Sequence, residues 1–134
     1  MDERLSPEAA IRGAEFRAAL RRFLRRSERA ARASGLTPQR YLLLLMIKGA
    51  PDGSEQSTVT ELAERLQLAQ STVTELVSRA QEVGLVERET SSADGRVAHL
   101  RLTDEGEQRL ARSFTSLAAE REALRAAIAD LGES

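Results

Sequence analysis

Apolar and polar positions recur along this chain with two periods, and each period marks out its own elements. Phe16, Leu20, Phe23 and Leu24 share one face at the spacing of a helix that runs from Pro7 to about Ser34. Ser6-Pro7-Glu8 opens it with a capping hydroxyl, a proline at the first position and an acid in the first turn; residues 1–6 read as a loose tail. Thr37-Pro38 repeats that opening, and the run Tyr41–Ile47, apolar throughout, predicts a helix buried on every side. Lys48-Gly49-Ala50-Pro51-Asp52-Gly53 ends it, and the stretch on to Ser57 is expected to be a mobile loop. Two short helices follow, about Thr58–Leu66 and Gln70–Val83, with Leu62, Ala63 and Leu66 placed to meet Val73, Leu76, Val77 and Ala80. Gly84 offers a left-handed stop.

After Gly84 the period changes to two. Leu85–Glu89 and Arg96–Leu102 read as strands around a polar loop, with Ala98, Leu100 and Leu102 on one face and Val97, His99 and Arg101 on the other. Thr103 then caps a last helix whose positive end is matched by Asp104 and Glu105. Its apolar positions 110, 114, 117, 124, 128 and 131 follow 4–3 spacing, interrupted where Arg121 falls. Such a stripe calls for another helix, most economically that of a second copy, though the N-terminal helix of the same chain would also serve.

The string Ser-Thr-Val-Thr-Glu-Leu occurs twice, at Ser57–Leu62 and at Ser71–Leu76. Thr58 with Glu61, and Thr72 with Glu75, both fit the hydroxyl-x-x-carboxylate capping box, in which each side chain satisfies an orphan backbone donor. Two helix starts 14 residues apart, joined by Gln67-Leu68-Ala69, have helix-turn-helix spacing, and a hairpin attached to such a unit is a wing. The fold class is therefore mostly α with a small β wing.

Composition narrows the chemistry. The chain has 134 residues, few aromatics and no cysteine, which fits one domain and removes disulfides, thiolate metal sites and thiol redox sensing. His99 is the sole histidine, so no metal set is expected, and no phosphate-cradling glycine loop or nucleophile elbow is present; an enzyme or a cofactor is not expected. With no apolar stretch of spanning length, a cytoplasmic protein without membrane contact is the default. The formal net charge of −1 is not that of a generic polyanion binder, yet the first helix carries eight arginines against Glu8, Glu15 and Glu28. That surplus is either a solvated face or a stripe facing phosphate or a dimer partner.

Residues 36–106 resemble the core of the MarR family of winged-helix transcriptional regulators. The matching stretches are Leu36-Thr37-Pro38-Gln39, Thr58-Val59-Thr60-Glu61-Leu62-Ala63, Ser71-Thr72-Val73-Thr74, Gly84-Leu85-Val86-Glu87-Arg88, Asp94-Gly95-Arg96 and Leu100-Arg101-Leu102-Thr103-Asp104-Glu105-Gly106. The resemblance implies one domain over 1–134, with a dimerisation helix at 7–34, a winged helix-turn-helix core at 36–102 and a C-terminal dimerisation helix at 103–131. It implies a homodimer on a pseudo-palindromic operator in double-stranded DNA, with a recognition helix in the major groove and the wing at the adjacent minor groove. Many members release DNA when a small aromatic or phenolic anion binds between the two parts.

Three features depart from the family pattern. Ala69 stands where a small polar cap is usual, so Gln70 or Ser71 is expected to help hold that terminus. The recognition helix carries Arg79 against Glu75 and Glu82. About 30 residues follow Thr103, whereas many relatives have a further helix after a break, so a reduced or differently built dimer interface is expected.

Chemistry and position then nominate residues. Gln70 suits adenine, the hydroxyls of Ser71, Thr72 and Thr74 suit phosphate or base edges, and a threonine methyl suits thymine; Ser71 and Thr72 otherwise merely cap. Arg79 either reaches phosphate or guanine or pairs with Glu75 or Glu82. Arg96 fits the narrow minor groove, with Asp94 fixing the wing loop beside it. Thr58 and Thr60 either cap or meet backbone phosphate. Phe16, Leu20, Phe23, Tyr41 and Leu45 are candidates for a ligand cleft or are core. The rival function is a winged-helix module that binds protein without specific DNA binding; the nearly neutral recognition helix and the unpaired N-terminal arginines favour it.

Overall fold

The computed structural model describes residues 3–90 and 97–132. In chain order these form α1 (Pro7–Ala33), α2 (Pro38–Lys48), α3 (Val59–Leu66), α4 (Gln70–Glu82), β1 (Val86–Thr90), β2 (Ala98–Leu102), α5 (Asp104–Thr115) and α6 (Ala118–Leu131). The strands pair antiparallel, with Val86 opposite Leu102 and Thr90 opposite Ala98. Ser57 adds a one-residue third strand: its N–H donates to the Leu100 carbonyl at 3.1 Å and its carbonyl accepts from Leu100 N–H at 2.8 Å.

The helix starts follow the local chemistry. Ser6 accepts from Ala9 N–H and Thr37 from Arg40 N–H, each followed by a proline that needs no donor. Thr58 and Glu61 form the full capping box, with Glu61 N–H to Thr58 Oγ1 at 3.2 Å and Thr58 N–H to Glu61 Oε1 at 2.8 Å. The second box does not form. The chain leaves α3 through Gln67 in the left-handed region, with Gln67 N–H on Glu64 O and Leu68 N–H on Ala63 O, a Schellman exit. That tight exit makes Ala69 the extended cap of α4, so Thr72 already lies within the first turn.

One fully buried set joins α2, α3, α4 and the hairpin: Leu43, Leu44, Ile47, Leu62, Val73, Val77, Leu85 and Leu100. At roughly 1.5–3 kcal/mol for each large apolar side chain removed from water, this set holds the helix-turn-helix as one body. Leu42 is 43% exposed, so α2 is not buried all round as its sequence predicts. A single exposed leucine within a central helix costs little and leaves three faces packed. Gly106 explains the close seat of α5: a Cβ there would lie 2.2 Å from the Leu85 carbonyl oxygen. Thr103 fixes the same junction, donating from its hydroxyl to Gly84 O at 2.6 Å and from its N–H to Leu85 O at 3.1 Å.

The C-terminal region is two helices, not the single one its spacing predicts. Thr115 Oγ1 donates back to Ala111 O and Ser116 Oγ to Ser113 O, a competition with the backbone that ends α5. Leu117 turns inward at 2% exposed, and Arg121 folds over the Phe114 ring at 3.7 Å while donating to the Phe114 carbonyl. A break and a further helix are therefore present in the 30 or so residues after Thr103. Helix α6 packs on α1 of its own chain, where Arg26 Nε meets Glu120 Oε1 at 3.1 Å, while Phe114 and Ile128 of the stripe stay exposed.

The loop after α2 is tied rather than dangling. Lys48 pairs with Glu55 and with Glu107, at 3.0 Å for the latter, and these hydrogen bonds hold the lysine above its ordinary pKa. Among the described residues no helix is long and apolar enough to cross a membrane.

Candidate nucleic-acid interface

Helix α4 turns Val73, Val77 and Ala80 into the core. Gln70, Ser71, Thr72, Thr74 and Arg79 are all exposed, Gln70 one turn ahead of Val73 on the same side of the helix and Ser71, Thr72 and Arg79 turned away from it. Gln70, Ser71 and Thr72 stand in the N-terminal turn, where backbone N–H groups lack intrahelical partners, and Thr74 follows just beyond it. No side chain caps that terminus. Gln70 and Ser71 therefore do not take over from Ala69 as the sequence suggests; Gln70 Nε2 instead lies 3.4 Å from Thr60 Oγ1 on α3. The serine and threonine hydroxyls of this turn are left outward-facing.

Arg79 takes the pairing alternative in the free chain. Its Nη2 meets Glu75 Oε1 at 2.8 Å, one turn back, with both side chains well exposed. Glu82 and Arg40 complete a polar hollow around that pair. An exposed pair of this kind is worth tenths of a kcal/mol and is readily exchanged for a stronger anion.

Between α3, the middle of α4's first turns and the hairpin lies an open groove of about 530 Å³, bordered by Thr58, Thr60, Thr74, Arg88 and Ala98. Arg88 was not nominated by the sequence, and it is the cation at this seam. The register places it there: Arg88 sits opposite Leu100, and Leu100 is bonded to Ser57 beside the α3 cap, so the two ends converge in a way that local sequence does not show. The capping box already occupies the Thr58 side chain, and Thr60 remains exposed with only the long contact to Gln70. Arg101, on the other face of β2, is engaged by Glu89 at 3.2 Å. Arg96 and Asp94 lie outside the described residues.

The five proposed ligand-cleft residues do not gather. Phe23 borders a cleft between α1 and α6, Leu20 a groove on another side of α1, and Leu45 a small apolar hollow between α2 and α5. Phe16 is half-buried. Tyr41 is 4% exposed within the core, where burial pushes its phenol up against the opposing pull of Arg121.

Comparison with known proteins supplies the context. Residues 34–97 match the family model described as MarR family. The structure of Sco3205, a MarR family transcriptional regulator from Streptomyces coelicolor in complex with DNA, superposes with a TM-score of 0.63 at 25% identity, covering 97% of this chain and 79% of that one. YusO from Bacillus subtilis gives 0.62 at 25% identity over 91% of this chain and 82% of its own. The PcaV transcriptional regulator from Streptomyces coelicolor, in complex with its natural ligand, gives 0.55 at 31% identity over 67% of this chain and 61% of its own. No curated protein sequence matches this one.

Proposed function

The chain belongs to the MarR family of winged-helix transcription regulators, and on that premise we propose that it is a sequence-specific binder of double-stranded DNA. It acts as a homodimeric repressor on a pseudo-palindromic operator and is released by a small-molecule ligand. The observation that carries the reading is the polar first turn of α4, uncapped and exposed while the opposite face is locked in the core. That is the disposition of a helix whose N-terminal side chains meet base edges.

In this reading Gln70 reads adenine, Ser71 and Thr72 reach phosphate or base edges, and the Thr74 methyl packs on thymine. Arg88 and Thr60 hold the phosphate backbone along the groove beside α4. Arg79 exchanges Glu75 for a phosphate or a guanine. Arg96 enters the minor groove, with Asp94 shaping the wing; both assignments rest on the sequence. Residues 36–102 are the DNA-binding part. The exposed apolar side chains Leu5 and Ile11 by α1, and Ile128 on α6, support dimerisation through 7–34 and the C-terminal helices. The DNA bound to Sco3205 supports the partner, and the ligand bound to PcaV supports release by a small molecule.

The test is fluorescence anisotropy with the duplex upstream of the chain's own gene against a scrambled duplex, across a salt series. Selective binding that saturates at two chains per site is expected. Arg88→Ala and Arg96→Ala should each weaken it and make the salt slope shallower by about one. The pairing of Arg79 with Glu75 favours one rival, a module that binds protein. Folded protein that fails to bind DNA at low salt would overturn the DNA reading in favour of that rival.

A further inference from the structure

A glutamine reads a base only when its carboxamide faces that base in one sense. In the major groove adenine presents N7, an acceptor, beside its N6 amino donor, so Nε2 must meet N7 and Oε1 must meet N6. A free glutamine side chain gives up much rotamer freedom on binding, and a half-turn of its amide exchanges donor and acceptor. Specific reading by Gln70 therefore calls for a group on the protein that holds it.

One group lies within reach. Gln70 Nε2 is 3.4 Å from Thr60 Oγ1, and no other hydrogen bond engages either side chain among the described residues. Local structure is what leaves the Thr60 hydroxyl available. Thr60 is the second residue of α3, so the carbonyl four residues back is that of Gln56, outside the helix and already accepting from Ser54 Oγ at 3.2 Å. The back-bond of a mid-helix threonine does not form. Thr58, two residues earlier, is committed to its capping box. Thr60 and Gln70 are both exposed, and Thr60 borders the groove that Arg88 and Thr74 also line. A hydroxyl has one proton and two lone pairs. While that proton is free, Thr60 serves either end of the amide, accepting from Nε2 or donating to Oε1. Giving the proton to a phosphate removes the second choice.

We propose that Thr60 is a positioning residue for base reading: its hydroxyl donates to a DNA phosphate and then accepts only from Gln70 Nε2. The amide is thereby held with its nitrogen toward α3. One amide N–H goes to Thr60, and the other, on the same side as Oε1, joins that oxygen in a two-point contact with adenine. From the adenine amino group through Gln70 and Thr60 to phosphate, each group donates to the next, an order in which hydrogen bonds strengthen one another. The inference rests on the DNA reading of α4 and deepens it, since a backbone contact on α3 sets the base choice of a side chain on α4.

The test lets the full chain select its preferred duplex from a randomised pool. Anisotropy then gives the affinity for each of the four base pairs at every selected position. One adenine should be favoured at least about fivefold over the other bases, and Gln70→Ala should level that position. Thr60→Val keeps the side-chain shape and removes the hydroxyl. It should bring the adenine preference to within about twofold of level, with the other positions within about twofold of wild type. Thr60→Ala should behave alike, and Thr60→Ser should keep the preference. Adding Thr60→Val to Gln70→Ala should change base preference no further, because the two act as one unit.

A folded Thr60→Val protein that keeps the adenine preference, or that weakens all four base pairs equally, would overturn the inference and leave Thr60 a backbone contact alone. Equal losses from Thr60→Ser and Thr60→Val would also overturn it, by making the methyl rather than the hydroxyl the active part. So would a Gln70→Ala protein that levels no adenine position. A wild-type chain that selects no duplex at low salt is a different result: it overturns the DNA reading, and this inference with it.

Discussion

The hexapeptide Ser-Thr-Val-Thr-Glu-Leu is folded twice in this molecule and used in two ways. In the first copy Ser57 is 2% exposed and bonded to Leu100, Thr58 and Glu61 close the capping box, and Leu62 is fully buried. In the second copy Ser71 and Thr72 stand exposed inside the first turn of α4, Val73 is the fully buried residue, Leu76 is half-buried, and Glu75 pairs with Arg79. The difference is one of phase. Helix α3 begins at the third residue of its copy, whereas α4 begins one residue before its copy. The Schellman exit through Gln67 sets that phase, since it brings the extended cap to Ala69. Identical side chains thus serve the fold in one place and are left free for a partner in the other.

The largest expected asymmetry is in the core. Leu62→Ala should lower unfolding stability by about 2–5 kcal/mol, while Leu76→Ala should cost less than half as much; urea denaturation of the two variants decides it. Equal losses would mean that the two copies are not packed in different phases. Next comes the asymmetry at DNA. Thr72→Ala and Thr74→Ala should each cost about 1–3 kcal/mol of operator affinity, roughly five- to 150-fold, and leave the urea midpoint unmoved. Thr58→Ala should do the reverse, costing about 1 kcal/mol of stability through the lost cap. A Thr58→Ala protein of normal stability and weakened DNA binding would make the first copy a contact surface as well.

The same pair shows what could be read from the chain. Both helices, their facing apolar residues and the hairpin follow from local period and turn chemistry, and the strands fall within two residues of their expected bounds. The capping box repeats perfectly in sequence, but only in the first repeat does its threonine fall at the extended cap position; that depends on the turn before it, not on the motif. The C-terminal break escaped for a similar reason. Its 4–3 stripe runs through Ser113–Leu117 without a glycine or proline, and what ends α5 is hydroxyl back-bonding with Leu117 drawn inward. At the interface the exposed turn of α4 was legible because Val73, Val77 and Ala80 fix the opposite face. Arg88 was not, because its position beside Thr58 and Thr74 is created by the register with β2. The ligand cleft was drawn on apolar residues that the structure places around separate hollows or in the core.

The smallest expected effect separates the two glutamates. Glu61→Ala removes half of a capping box and should lower stability measurably, with Thr58 N–H left without its acceptor. Glu75→Gln removes only an exposed partner of Arg79, worth a few tenths of a kcal/mol to the helix. At DNA the sign reverses. The substitution takes a carboxylate off the face that meets phosphate and frees the Arg79 guanidinium, so affinity should rise slightly and the salt dependence should steepen by up to about one counterion. Anisotropy titrations at several salt concentrations measure both quantities on one sample. Weaker binding with an unchanged slope would instead make Glu75 the residue that orients Arg79 toward a base. The second copy would then carry a positioned contact as well as free hydroxyls.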